Sequence, residues 1–131
     1  MYALDTNTLI YFFKGMGNVA QRLLAVPPAS IAIPTIVLYE IETGIAKSGN
    51  PERRRAQLGT LLEVVSLLPF DAAAARQAAL IRTELENAGS PIGPLDILIA
   101  GTARAHHAVL VTCNTREFSR VAGLGLEDWF G

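Results

Sequence analysis

The sequence predicts an α/β protein, a parallel sheet of short strands with helices on both faces. Three observations carry this expectation. Short apolar runs at residues 2–5, 30–33, 64–68 and 109–112 have strand length and end in turn or polar signals. Longer segments between them place apolar residues at helical spacing. The two kinds alternate along the chain, as strands joined by helical crossovers do.

A chain of 131 residues fits one domain, and with 50% hydrophobic residues it can build a sizeable core. A net charge of −1 and a pI near 6.1 exclude a generic basic nucleic-acid binder, so RNA contact would need local basic patches. The single cysteine, Cys113, excludes an internal disulfide and fits a cytoplasmic setting. A strand that begins at Tyr2 leaves no room for a signal peptide, and no apolar run approaches a membrane span. The high apolar content also points to buried contacts between subunits.

Residues 2–5 read as a buried strand turning at Asp5-Thr6, and a helix covers about residues 7–13. Asp5 then stands where a strand hands over to a helix, the place where open parallel sheets bind ligands. An Asp before a helix is also an ordinary N-cap, so chemistry at Asp5 depends on what else reaches it. Gly15 and Gly17 break the chain before an amphipathic segment at 18–25, which Pro27-Pro28 stop. Residues 30–33 form the second strand, ended by Pro34. The helix from Thr35 to about Lys47 spaces Val37, Ile41 and Ile45 by four, and Glu40 and Gly44 share a neighbouring face. Glycine inside a helix costs about 1 kcal/mol relative to Ala. Gly44 is explained either by close approach of a backbone or ligand beside Glu40, or by packing alone with Glu40 on the surface.

Asn50 caps and Pro51 opens the next helix, to about residue 63. It carries Arg53-Arg54-Arg55, a run that is either a solvated face or a phosphate contact. Val64–Leu68 is the third strand. Asp71 caps a long helix to about Ala88, with Ala74, Ala78, Ile81 and Leu85 facing the core, and Gly89 ends it. Pro94 opens a helix to about residue 107. Asp96 in its first turn suits the helix dipole. Yet the helical wheel sets it beside Ile99, Ala100 and Ala103, and a buried carboxylate there needs a partner or a metal. Val109–Thr112 is a strand running into the polar segment Cys113–Glu117, a second strand-to-helix junction. Leu124–Trp129 reads as a last short strand, with Trp129 and Phe130 closing the core and Cys113 buried as a small apolar residue.

This order brings Asp5 and residues 114–117 to one edge of the sheet, with Glu40 and Asp96 on helices beside it. Asp5, Glu40 and Asp96, with Asn114 and Glu117 nearby, form an acidic site that lacks a Ser–His or Cys–His pair. Two unit charges about 4 Å apart repel by about 4 kcal/mol at an effective dielectric near ~20, so the cluster needs protons or a cation. Oxygen ligands select hard ions such as Mg²⁺ or Mn²⁺. These ions hold a water for attack on phosphate, so phosphodiester hydrolysis is the chemistry that fits.

Four stretches now stand in order: LDTNTLIYFFKG at 4–15, YEIETG at 39–44, PIGPLDILIAGTARAH at 91–106 and LVTCNTREFSRV at 110–121, with GLEDW near the end. At these spacings the chain resembles the PIN-domain ribonucleases and, among them, the VapC toxins of bacterial toxin–antitoxin pairs. The resemblance covers essentially all of residues 1–131 and implies a single PIN domain, three-layer α/β/α around a central parallel sheet of four to five short strands. It implies an endoribonuclease dependent on Mg²⁺ (or Mn²⁺), a homodimer, and a cognate VapB-type antitoxin, with a higher assembly on operator DNA. Asp5, Glu40 and Asp96 match the first three acidic residues of the family's site. Asn114 stands where many PIN domains carry a fourth; it offers a carbonyl oxygen without charge, and Glu117 is near enough to supply a carboxylate. Thr6, Asn7 and Thr112 match groups that orient the carboxylates. The segment NTREF looks like the subgroup that cleaves initiator tRNA in the anticodon stem-loop.

The mechanism so implied has Asp5, Asp96 and Asn114 at the metal, and Glu40 or Glu117 orienting and deprotonating the attacking water. In-line attack leaves 5′-phosphate and 3′-hydroxyl ends. Lys14, Arg53, Arg54, Arg55 and Arg116 are the candidates for RNA backbone contacts. Three other readings fit less well. A metal-free ribonuclease would pair two histidines, but His106 and His107 are adjacent on the expected helix and diverge by about 100°. A phosphoryl-accepting receiver domain would want an acidic doublet after the first strand and a late lysine, whereas the only lysines are Lys14 and Lys47. A catalytically silent PIN-fold interaction domain is kept open by Asn114.

Overall fold

The computed structural model describes residues 1–131. In chain order the elements are β1 (Tyr2–Leu4), α1 (Thr6–Lys14), α2 (Val19–Leu24), β2 (Ile31–Pro34), α3 (Thr35–Ala46), α4 (Pro51–Leu62) and β3 (Ser66–Leu68). They continue with α5 (Ala72–Asn87), α6 (Pro94–Ala105), β4 (Val109–Val111), α7 (Thr115–Phe118) and β5 (Leu126–Glu127). All neighbouring strands pair in parallel, in the order β3-β2-β1-β4-β5.

The middle strands are covered on both faces, so their residues are apolar without alternation. Ala3, Leu4, Ile31, Ala32, Ile33, Leu110 and Val111 are all buried. The chain lays β2 and β3 to one side of β1 and β4 and β5 to the other. The connection therefore reverses between β1 and β4, and the crevice beyond their carboxyl ends is where such sheets bind ligands. Leu4 is level with Val111 in the ladder, so Asp5 and Thr112 leave the sheet together.

Local chemistry sets the helix ends as the sequence leads one to expect. Asp71 accepts from the Ala74 N–H (3.0 Å) and Asn50 from the Arg53 N–H (3.4 Å). Gly15 ends α1 in the left-handed region, φ 66°. The α5–α6 contact is close enough to demand glycine: a Cβ on Gly101 would stand 2.7 Å from both the Cβ and the backbone N of Ala78.

Several expectations change. β3 begins at Ser66, because the Val64 and Val65 N–H groups still donate to the Leu61 carbonyl at the end of α4 (3.1 and 3.2 Å). Pro28–Ser30 form a 3₁₀ turn. His106 and His107 lie past the end of α6, with His107 at φ 53°, so they share no helix. Trp129 is buried, its indole N–H donating to Glu127 Oε1 (3.0 Å), but Phe130 is exposed and sets its ring edge against Tyr11. Cys113 is half-buried. No helix is long and apolar enough to cross a membrane.

Candidate active site

Asp5 is both a cap and a wall of the site. Its N–H continues the ladder to the Val111 carbonyl (3.1 Å). Its Oδ1 accepts from the Thr8 N–H (2.9 Å), while the Thr8 hydroxyl donates to the Val111 carbonyl (3.1 Å). One carboxylate oxygen thus caps α1, while Asp5 also lines the crevice pocket. Burial holds the Asp5 carboxyl above its usual range, and hydrogen bonds from Thr112 and Thr8 pull it back only in part.

Glu40 arrives on α3. The Thr6 hydroxyl donates to its Oε1 at 2.7 Å, which ties α3 to the first turn of α1. Asp96 lies in the first turn of α6 and is half-buried, not enclosed as the helical wheel implies, because the start of α6 borders the pocket. Its carboxyl is pushed up to about 6, first by burial and then by the charges of Glu117, Glu40 and Asp5. Asn114 follows β4: its N–H donates to the Thr112 hydroxyl oxygen and its Nδ2 to Glu117 Oε2, both at 2.9 Å. The Asn114 carbonyl oxygen is then the end left to face a cation.

Asp5, Thr6, Asn7, Glu40, Asp96 and Asn114 line one pocket of about 110 Å³, backed by Phe118. Thr112 and Glu117 are not among its lining residues. Glu117 is nonetheless the strongest charge acting on Asp96. No three acidic, histidine or cysteine side chains stand at chelating distance of one another. The carboxylates are spread around the pocket, as mutual repulsion favours. Every donor is an oxygen, and three of the six polar lining residues are carboxylates, a set that fits a hard divalent cation.

The basic candidates separate. Lys14 and Arg54 line a second cavity that shares Glu40 with the acidic pocket. Arg55 is paired with Glu42 (3.0 Å), and Arg53 and Arg116 are exposed. Gly44 lines the second cavity, and no backbone approaches it.

Two residues at the site escape sequence reasoning. Thr8 fixes Asp5 from the third position of α1, a place that the capping pattern does mark. Asp128 acts on Asp5 and on Cys113 through its charge, because β5 lies beside β4, and no local signal reveals that neighbourhood. Burial, then Asp128 and Asp5, push the Cys113 thiol up to about 11, so it is not a nucleophile at neutral pH.

Residues 2–124 match the PIN domain family. The chain is 39% identical to the tRNA(fMet)-specific endonuclease VapC of Shigella flexneri over 128 residues, 98% of this chain and 97% of that protein. It is 38% identical to ribonuclease VapC2 of Rickettsia felis, over 98% of each chain. Among solved structures, VapBC2 from Rickettsia felis bound to a promoter DNA fragment aligns with a TM-score of 0.89 at 36% identity, covering 98% of both chains. DNA-bound VapBC from Salmonella typhimurium aligns with a TM-score of 0.89 at 38% identity, covering 98% of this chain and 97% of that one. By its matched domain and by identity over nearly its full length, the chain belongs to the PIN-domain family, alongside the VapC ribonucleases.

Proposed function

We propose that the protein is a Mg²⁺-dependent endoribonuclease, the toxin of a type II toxin–antitoxin pair, and that it cleaves initiator tRNA in the anticodon stem-loop. The observation that carries this reading is the acidic pocket in the β1–β4 crevice. Its Asp96 carboxyl is held near 6 by burial and by three other carboxylates, so the site has an excess of negative charge that a cation relieves. The substrate is supported by the relatives from Shigella flexneri and Salmonella typhimurium, 39% and 37% identical, both named tRNA(fMet)-specific endonucleases.

Asp5, Asp96 and the Asn114 carbonyl oxygen would hold Mg²⁺ (or Mn²⁺). When bound, such an ion supplies a more acidic water and offsets charge developing on the phosphate. The Thr6 hydroxyl fixes one oxygen of Glu40, which leaves the other to orient the attacking water and take its proton. Glu117 holds the Asn114 amide, so the hydrogen bonding favours Glu40 as the base and Glu117 as a positioning residue. Thr8 and Thr112 favour the charged form of Asp5 against its burial and aim it. Attack in line gives 5′-phosphate and 3′-hydroxyl ends. Residues 1–131 act as one domain, in the cytoplasm where tRNA is found. The chain forms a homodimer and is inhibited by a VapB-type antitoxin, with which it assembles on operator DNA. The related complexes from Rickettsia felis and Salmonella typhimurium support that assembly.

The test is incubation of antitoxin-free protein with total tRNA and Mg²⁺, followed by sequencing of the fragment ends. Cuts in the anticodon stem-loop of initiator tRNA are expected. Cuts elsewhere would overturn the substrate but keep the nuclease. No cut in any RNA, from folded protein, would return the silent interaction domain.

A further inference from the structure

We infer that the cavity between α1, α3 and α4 receives a nucleobase of the RNA substrate beside the cleaved phosphate, and that Gly44 keeps this cavity open. The inference rests on the ribonuclease reading and specifies where its substrate sits. The cavity measures about 320 Å³, inside the range of about 300–1,000 Å³ typical of sites that enclose a small molecule. Glu40 stands in its wall and in the wall of the acidic pocket, so the two are adjacent.

Its lining has the mixture that single-stranded RNA needs, a stacking surface and cations for the backbone. Phe13 offers the ring, and Ile10, Ile41 and Ile45 add apolar wall. Lys14 and Arg54 supply positive charge to phosphates on either side of the base. Arg54 is held in place: its guanidinium donates to the Phe13 carbonyl at the end of α1 (3.2 Å) and to Gln57 Oε1 (3.0 Å). Gly44 has no packing reason to be glycine, since a Cβ there would meet nothing within 4 Å. Glycine weakens a helix interior, so its presence in α3 is explained by the space it leaves. A larger side chain at this position would stand in the cavity.

The test measures KM for a short RNA carrying the cleavage site. Gly44→Leu is expected to raise KM about tenfold, the scale of one lost stacking contact. Removing the base of one nucleotide next to the cleaved bond is expected to raise KM similarly for the wild-type protein, and to add nothing further in Gly44→Leu. Lys14→Gln removes the charge of an exposed side chain and is expected to raise KM about threefold with a shallower salt dependence. Gly44→Ala, followed by thermal melting, checks that the position accepts a side chain. Cleavage with wild-type KM in Gly44→Leu or in Lys14→Gln overturns the inference and leaves the nuclease intact. So do losses from Gly44→Leu and the abasic RNA that multiply. Weaker antitoxin binding in Gly44→Leu with unchanged KM assigns the cavity to a protein partner and overturns it as well. No cleavage by the wild-type protein overturns the ribonuclease reading itself.

Discussion

Asp96 carries the electrostatic cost of the site. Its folded value of about 6 lies above the ordinary 3.8, so the folded protein binds this proton more tightly than the unfolded chain. Its contribution to stability is present at low pH and is lost as pH rises from about 4 to about 6. Asp96→Asn removes the charge. At pH 7.5 without metal it should stabilise the protein by about 1 kcal/mol, after discounting for a half-exposed group. That corresponds to about 3 °C in Tm by calorimetry, and the gain should shrink at pH 4.5. A lower Tm for the variant at pH 7.5 would mean that Asp96 is stabilised by its surroundings. Cleavage should weaken as pH falls towards 6 and recover with added Mg²⁺, because a cation favours the charged carboxylate. Thr6→Val releases Glu40 and should lower kcat about tenfold or more with little change in melting; wild-type kcat would mean that Thr6 does not position Glu40 for catalysis. Asp5 and Asp96 were legible in the sequence because one stands at a strand-to-helix junction and the other on an otherwise apolar helix face, whereas Glu40 stood out through its spacing to Gly44 and the family resemblance. Asp128 and the exact partner of Glu117 were not, since both depend on which strand lies beside which and on side-chain direction.

At the scale of elements, the position of Asp96 depends on how α6 is seated. Gly101 meets Ala78 of α5 with no room for a methyl group, so Gly101→Ala must push the helices apart. It should cost about 1–3 kcal/mol, measured by urea unfolding, despite the better helix propensity of alanine. Wild-type stability in this variant would show that the two helices separate freely. The helices were legible from capping residues and periodicity, as Asp71, Asn50 and the stripe on α5 illustrate. The ends of short elements were not. Val64 and Val65 have strand chemistry but complete the turn after α4. Phe130 has core chemistry but lies outside, where its ring and carbonyl cover Gly17. Hydrophobicity marks what can be buried, and tertiary contacts decide what is.

The whole molecule follows from alternation. Strands separated by helices form a parallel sheet with right-handed crossovers, and the reversal between β1 and β4 places the crevice where Asp5 and Asn114 emerge. Alternation alone does not set the order β3-β2-β1-β4-β5, which is why the neighbourhood of β5 was unreadable. The family resemblance added the three-layer arrangement and the match of its acidic residues. The surface leaves Leu24, Tyr39 and Val64 more than half exposed, at 76%, 60% and 56%. Buried contacts between subunits would cover such residues. Light scattering of the purified protein should give twice the chain mass of 14.0 kDa, and a monomer at micromolar concentration would contradict the homodimer.

The acidic pocket should cleave RNA only with a divalent cation held by Asp5 and Asp96. The most direct measurement is the single-turnover rate of tRNA cleavage as Mg²⁺ is added back after EDTA, for the wild-type protein and Asp96→Asn. No cleavage in EDTA, saturable recovery with Mg²⁺, and a rate in the variant lower by about 10³-fold or more are expected of such a site. Cleavage that persists in EDTA, or a variant as fast as the wild type, would contradict it.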